Sequence, residues 1–191
     1  IGGKTGVNTK FGKNLVGSFY QPSLVISDTN FLKTLPVREL VCGYAEILKH
    51  SLIDNRKFFS FLNLFFSNII ELKSPYIEKA IYESCKIKKK IVQKDEKERN
   101  LRKILNFGHT FAHSYEATMN YSKRLNHGEA VLLGIDSALK FSLQNEVIKE
   151  NEFNLIQNHI KKSKLPNNLK NYFKKKDIKK IISYMATDKK N

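Results

Sequence analysis

Glycine is spread so unevenly along these 191 residues that two kinds of structure are required. Gly2, Gly3, Gly6, Gly12 and Gly17, five of the nine in the chain, fall within the first 17 positions. Glycine weakens helices and favours turns and close backbone approach, so residues 1–35 read as a turn-rich, β-containing segment. Leu15–Tyr20 and Ser23–Ser27 predict two short strands, with Gln21-Pro22 as the break. From Pro36 onward the period becomes helical. Pro36 suits a first turn, and Val37, Leu40, Ala45, Ile47 and Leu48 line one face. Asp54 predicts the cap of a second helix through Phe65, and Ser74-Pro75 the start of a third to Gln93. Further helices are expected at His109–Met119, His127–Asn145, 149–163 and 177–186, with Pro166 separating the last two. The fold class expected is mainly α: a helical domain at residues 36–191 behind a short β-containing segment at 1–35.

A composition 41% hydrophobic supports a sizeable core. The longest apolar stretch, Phe58 to Ile70, is broken by Ser60, Asn63 and Ser67, so no membrane span of roughly 20 apolar residues is expected. The chain opens Ile1-Gly2-Gly3-Lys4-Thr5-Gly6, without an initiator Met or the apolar core of a signal peptide. A compact domain rarely starts on a glycine pair, so a beginning inside a longer protein is expected. Cys42 and Cys85 lack CxxC spacing; they read as two small buried apolar residues in a reducing, cytoplasmic setting. The net charge is +16, and residues 151–191 hold 11 Lys against Glu152, Asp177 and Asp188. A nucleic-acid surface is one reading. Against it, only 5 of the 34 basic residues are Arg, the preferred reader of bases and phosphates, and no nucleic-acid motif is visible. A solvated Lys face, with no nucleic-acid partner, is the better expectation.

The chemistry concentrates in Asn106-Phe107-Gly108-His109-Thr110-Phe111-Ala112-His113 and in His127-Gly128-Glu129-Ala130, which together hold three of the five histidines within nineteen residues. His109 and His113 stand four apart on a predicted helix and share a face. Such a pair either grips a metal or satisfies itself with hydrogen bonds. Thr110, not Glu, follows the first His, so the base of an HExxH metalloprotease is missing. His127, at a predicted helix start, widens the set. A catalytic zinc takes three protein ligands and keeps one position open. The candidates are His109, His113, His127 and a carboxylate, with Glu46 the attractive one. It lies in Gly43-Tyr44-Ala45-Glu46-Ile47-Leu48-Lys49, where an acid is costly to bury unless it is paired or ligating; a plain ion pair with Lys49 is the alternative. Arg102 and Asn106 precede the histidines, and Lys86, Lys88, Lys89 and Lys90 form a basic run. Lys4 and Lys13 lie where a phosphate could be reached, although Gly2-Gly3-Lys4-Thr5 lacks P-loop spacing.

Taken together these residues resemble the 3-dehydroquinate synthase family. The matching blocks are Gly2 to Asn8, Gly12-Lys13-Asn14, Phe19-Tyr20-Gln21-Pro22, Leu32 to Glu39, Gly43 to Glu46, Asp95-Glu96, Arg102, Leu105 to Thr110, His127 to Ala130 and Asp188-Lys189-Lys190. One block alone would be weak, but so many in order are specific. The resemblance implies that residues 1–35 are the remnant of an α/β dinucleotide-binding domain and that 36–191 form a helical zinc- and substrate-binding domain. It makes Glu46, His109 and His127 the zinc ligands, with cobalt as a substitute metal, and moves His113 to the substrate site. Lys49, Lys88, Arg102, Asn106, His113 and Asn14 match substrate-site positions, as does one of Lys189 and Lys190. Lys4, Lys13, Phe31, Leu32, Lys33 and Thr34 match NAD contacts.

The implied activity is that of a carbon–oxygen lyase of the shikimate pathway of aromatic amino acid biosynthesis. It converts 3-deoxy-D-arabino-heptulosonate 7-phosphate to 3-dehydroquinate and phosphate. The implied course is transient NAD-dependent oxidation, phosphate elimination, reduction and intramolecular aldol closure at a zinc site. A homodimeric full-length protein is implied as well. The expected GxGxxG-like cluster and ribose-binding acid do not precede residue 1, and the chain stops before the family's usual end, so this piece alone is expected to bind NAD poorly and to be inactive. The rival readings are a related sugar-phosphate cyclase of the 2-deoxy-scyllo-inosose or valiolone type, and a basic helical nucleic-acid-binding module.

Overall fold

The computed structural model describes residues 2–9 and 12–187, and at 8–9 and 12–15 the backbone alone. Strands β1 (Lys4–Thr9) and β2 (Gly12–Phe19) pair antiparallel, with Lys4 opposite Phe19 and Val7 opposite Val16. The strand expected at Ser23–Ser27 does not form. Its apolar residues Leu24, Val25 and Ile26 are exposed, and among the described residues no strand pairs with it; a lone extended segment has nowhere to place its backbone hydrogen bonds. Strand β1, KTGVNT, escaped the sequence reading because it lacks apolar alternation. A 3-10 turn at Thr29–Thr34 follows, with the Asp28 carboxylate accepting from Asn30 N–H at 2.9 Å.

The rest is helical, and most elements stand where they were expected. They are α1 (Val37–Asp54), α2 (Arg56–Ile70), α3 (Tyr76–Lys94), α4 (His109–Thr118), α5 (His127–Gln144), α6 (Glu150–Lys162) and α7 (Ile178–Thr187). Two boundaries are corrected. Asp54 ends α1, and it is Asn55 whose side chain caps α2 by accepting from Phe58 N–H at 3.0 Å. Helix α2 continues past Phe65, whose φ of −112° and ψ of 21° mark a kink, because Phe66 and Ile69 carry its apolar face onward.

Helix α5 is the central rod. Val131, Leu132, Leu133 and Ile135 are all fully buried, so it is apolar around most of its circumference and must be enclosed. Helices α1 and α4 pack against it, and α6 is tied to it where the Gln157 amide donates to the buried Asp136 carboxylate at 2.7 Å. The approach of α4 is set by glycine. Gly108, at φ +76°, precedes α4, and a Cβ on Gly134 would lie 2.2 Å from the Gly108 carbonyl oxygen. A Cβ on Gly128 would lie 2.3 Å from Cys42 Cα, so α1 and α5 also meet backbone to backbone. Cys42 and Cys85 are free and half-buried. Among the described residues no helix is long and apolar enough to cross a membrane.

Candidate metal centre and substrate site

Three helices deliver one donor atom each to a common point. Glu46 comes from the third turn of α1, His109 from the first residue of α4, and His127 from the first residue of α5. His109 Nε2 lies 3.5 Å and His127 Nε2 3.8 Å from Glu46 Oε1, and all three donors lie within 4.8 Å of one another. Both helix starts are fixed locally. Gly108 alone tolerates the left-handed turn before His109. Asn126 and Glu129 form a reciprocal capping box around His127, bonding each other's backbone N–H at 2.9 and 3.0 Å.

The rings present the right nitrogens. His109 Nδ1 is 3.3 Å from the Phe107 carbonyl, and His127 Nδ1 is 3.1 Å from a carboxylate oxygen of the buried Glu116. Each therefore carries its proton on Nδ1 and turns Nε2, with its lone pair, toward the centre. Glu46 is held by its other oxygen: the buried Lys49 ammonium donates to Oε2 at 2.6 Å. Burial opposes the charge on Glu46, yet the Lys49 ammonium bonded to it favours the charge, and the carboxyl is held well below the usual range. Burial pushes the His109 pKa down, against the pull of Glu46. One carboxylate oxygen facing two imidazole nitrogens is a candidate ligand set.

The fit to a metal rests on a particular atom. Glu46 Oε1 is sealed from solvent and has no hydrogen-bond partner. A buried charged acceptor left unsatisfied is costly, and a cation between Oε1 and the two Nε2 atoms would satisfy it. Donors about 2.1 Å from one tetrahedral zinc stand roughly 3.4 Å apart, close to the 3.5 and 3.8 Å seen. Two His and one Glu leave a fourth position open, as catalytic rather than structural zinc requires.

His113 stands beside the trio, its ring 5.3 Å from His109 and 6.4 Å from His127. It contributes no donor atom to the group of Glu46, His109 and His127. A second cluster forms where the β1–β2 hairpin meets the loop after α3. Lys4 pairs with Glu98, and Asn106 donates to the same carboxylate at 2.6 Å. The buried Arg102 donates to the Gly2 carbonyl at 2.6 Å and to the Glu96 carbonyl, with its guanidinium over Phe19. Lys88 adjoins this group, its Cε 3.6 Å from where a Cβ on Gly2 would sit. By contrast Phe31, Lys33 and Thr34 sit on the exposed 3-10 turn, with Lys33 bonding Asn30 and Thr34 bonding the Phe31 carbonyl, while Leu32 packs on the core. The side chains of Lys13 and Asn14, and all of Lys189 and Lys190, lie outside the described residues.

Four contributors were given no role by the sequence reading, although Arg38 and Asp95 stand in its matching blocks. Glu98, at φ +56°, links Lys4 to Asn106. Asp95 accepts from the N–H groups of Arg99, Asn100 and Arg102 at 2.8 to 3.0 Å and so shapes the loop that presents Arg102; those bonds hold its carboxyl below the ordinary range. Arg38 grips Glu129 with two bonds, at 2.7 and 2.6 Å, and also donates to the carbonyls of Lys123 and Arg124. Glu116 supports His127. Asp95, Glu98 and Arg38 sit in charged stretches that resemble ordinary surface. Glu116 carried one usable signal: it is an acid on the same helix as His109 and His113.

Comparison with known proteins identifies the family. A family profile described as 3-dehydroquinate synthase C-terminal matches residues 43–191, and one described as 3-dehydroquinate synthase N-terminal matches 1–42. The chain is 63% identical over its whole length to a 3-dehydroquinate synthase of Pelagibacter ubique (strain HTCC1062), covering 52% of that protein. It is 42% identical to one of Alkaliphilus metalliredigens (strain QYMF), again covering 52%. The chain thus spans about half the length of these curated relatives. Among solved structures, a 2-epi-5-epi-valiolone synthase from Streptomyces hygroscopicus subsp. jinggangensis 5008, with NAD+ and Zn2+ bound, superposes with a TM-score of 0.83 at 27% identity, over 97% of this chain and 51% of that one. A 2-deoxy-scyllo-inosose synthase complexed with carbaglucose-6-phosphate, NAD+ and Co2+ gives 0.80 at 29%, over 99% and 50%. Profile, relatives and fold converge, and the chain belongs to the 3-dehydroquinate synthase family.

Proposed function

We propose that this chain supplies the zinc centre and most of the substrate site of a 3-dehydroquinate synthase, with residues 1–35 as the end of an NAD-binding domain and 36–191 as the helical domain. The observation that carries the reading is Glu46 Oε1, buried and unpartnered between His109 Nε2 and His127 Nε2. Identity to proteins of that name reaches 63%, against 27 and 29% to the valiolone and inosose synthases, which favours the heptulosonate phosphate over their substrates. The zinc would supply Lewis acidity at a substrate hydroxyl, and NAD a reversible hydride acceptor.

This chain's residues bind and orient. Lys49 holds Glu46 so that one oxygen faces the histidines. Arg102, with Lys88 close by, is suited to a carboxylate: its fork has donors beyond those given to Gly2 and Glu96. Lys4, Asn14 and His113 suit the phosphate end, and Asn106 the hydroxyls between. The eliminated phosphate can itself take the proton lost from the neighbouring carbon. Lys4, Lys13 and Phe31 to Thr34 are assigned to NAD. Because the chain spans about half the length of its curated relatives, by itself it is expected to bind NAD weakly and not to turn over. The family resemblance supports a homodimeric, cytoplasmic full-length protein, and the Lys-rich surface is read as solvated, without a nucleic-acid partner.

Metal analysis tests the centre. The chain should bind one zinc, and Glu46→Gln or His127→Ala should each abolish stoichiometric loading; retention in both would refute the ligand set. A substrate panel on the full-length protein tests the activity. Phosphate release from 3-deoxy-D-arabino-heptulosonate 7-phosphate is expected, and release only from other sugar phosphates would overturn the assignment.

A further inference from the structure

We infer that Glu116 is a positioning residue for the metal centre, acting through His127. The inference rests on the metal reading above. Glu116 lies on α4, seven residues and about two turns after His109, and His127 begins α5 beyond the intervening loop. The residue is 3% exposed, far below the usual exposure of an acid, and its Oε2 accepts from His127 Nδ1 at 3.1 Å. An acid so placed on an imidazole does three things. It fixes the tautomer, it stops the ring from turning about its last bond, and it raises the electron density at the opposite nitrogen. His127 needs this more than His109 does. The His109 side chain is 12% exposed and the His127 side chain 39%, so packing restrains the first ring and leaves the second to its hydrogen bond. The same helix α4 thereby serves the centre twice, with a ligand at its first residue and a support for another ligand near its end.

Zinc affinity of the chain, measured by competition with a chromogenic chelator, separates the possibilities. Glu116→Gln keeps the size and an acceptor oxygen but loses the charge; Glu116→Ala loses both. We expect about 10-fold weaker zinc binding for the first and up to about 100-fold for the second, with the thermal midpoint of the zinc-free Gln variant within a few degrees of the original. The control for a merely structural role is the His127→Ala background. There the Glu116 substitutions should leave the residual zinc affinity unchanged, since nothing remains for Glu116 to orient. Undiminished zinc affinity in Glu116→Ala, or an equal loss with and without His127, would overturn the inference while leaving the ligand set standing. Absence of zinc binding by the unaltered chain would remove the metal reading itself, and the inference with it.

Discussion

At the scale of single residues, the histidines divide by what their two nitrogens touch. His159 is buried among Tyr44, Phe59 and Phe66; its Nδ1 faces the Asn63 side-chain amide oxygen, Oδ1, at 3.1 Å, and the Tyr44 hydroxyl meets Nε2 at 2.9 Å. The neutral ring satisfies both contacts, and burial pushes its pKa down to about 4. His50, bonded to Ser84 at 2.7 Å, is pushed down to about 4 as well, first by burial and then by Lys49. Above pH 6.5 folded and unfolded chains are both neutral at these sites, and the stability they allow is fully present. As pH falls from 6.5 toward 4 the unfolded chain takes up protons that the folded one refuses, so stability is lost. Between pH 7 and pH 5 the loss is about 2 kcal/mol per histidine. Urea unfolding of the zinc-free chain at the two pH values should show it, and His159→Gln should remove roughly half of the combined effect; an unchanged pH slope in that variant would contradict the account. None of this was legible in the sequence, where His50 and His159 stand in unremarkable helix. The candidate ligands His109 and His127 stood out in the sequence because three of the five histidines cluster within nineteen residues, and the family resemblance then separated them from His113.

At the scale of elements, the centre depends on how closely α1 and α4 lie against α5. A side chain on Gly134 would strike the Gly108 carbonyl oxygen, a backbone atom that cannot rotate away. Gly134→Ala should therefore cost about 1–3 kcal/mol in unfolding free energy and should weaken zinc binding, because His109 follows Gly108 directly. A stable variant with undiminished zinc affinity would show that α4 can shift freely on its neighbour. Helix positions were legible from apolar spacing and from Pro36, Ser74-Pro75 and Gly108. Helix contacts were not: Gly134 reads in sequence as a weak spot in an apolar run, and only the partner backbone across it explains the residue. The loss of the expected strand at Ser23–Ser27 has the same origin. A short run of β-prone apolar residues says that a segment can pair, and pairing requires a second strand that local sequence does not specify.

At the scale of the whole molecule, burial peaks in α5 and falls away toward both the first 35 residues and α7. Helix α5 has ten buried residues, whereas the 3-10 turn has none and Val7, Val16, Tyr20, Leu24 and Ile26 are all exposed. Amide hydrogen exchange should follow that gradient, fastest in the described part of residues 2–35 and slowest in α5; uniform protection would contradict it. The candidate site straddles the gradient, with its metal ligands on the protected helices and Lys4 on the hairpin. The tie between Arg38 and Glu129 joins positions 91 residues apart in sequence, and Glu46 and His127 lie just inside the loop it closes. The entropic cost of closing a loop grows only with the logarithm of its length, and two nested loops with neighbouring ends share one closure. Once the outer pair is joined, the inner pair is already near. A metal ion offered to the unfolded chain would have to close some eighty residues unaided, whereas in the folded chain it meets ends that an arginine has already brought together.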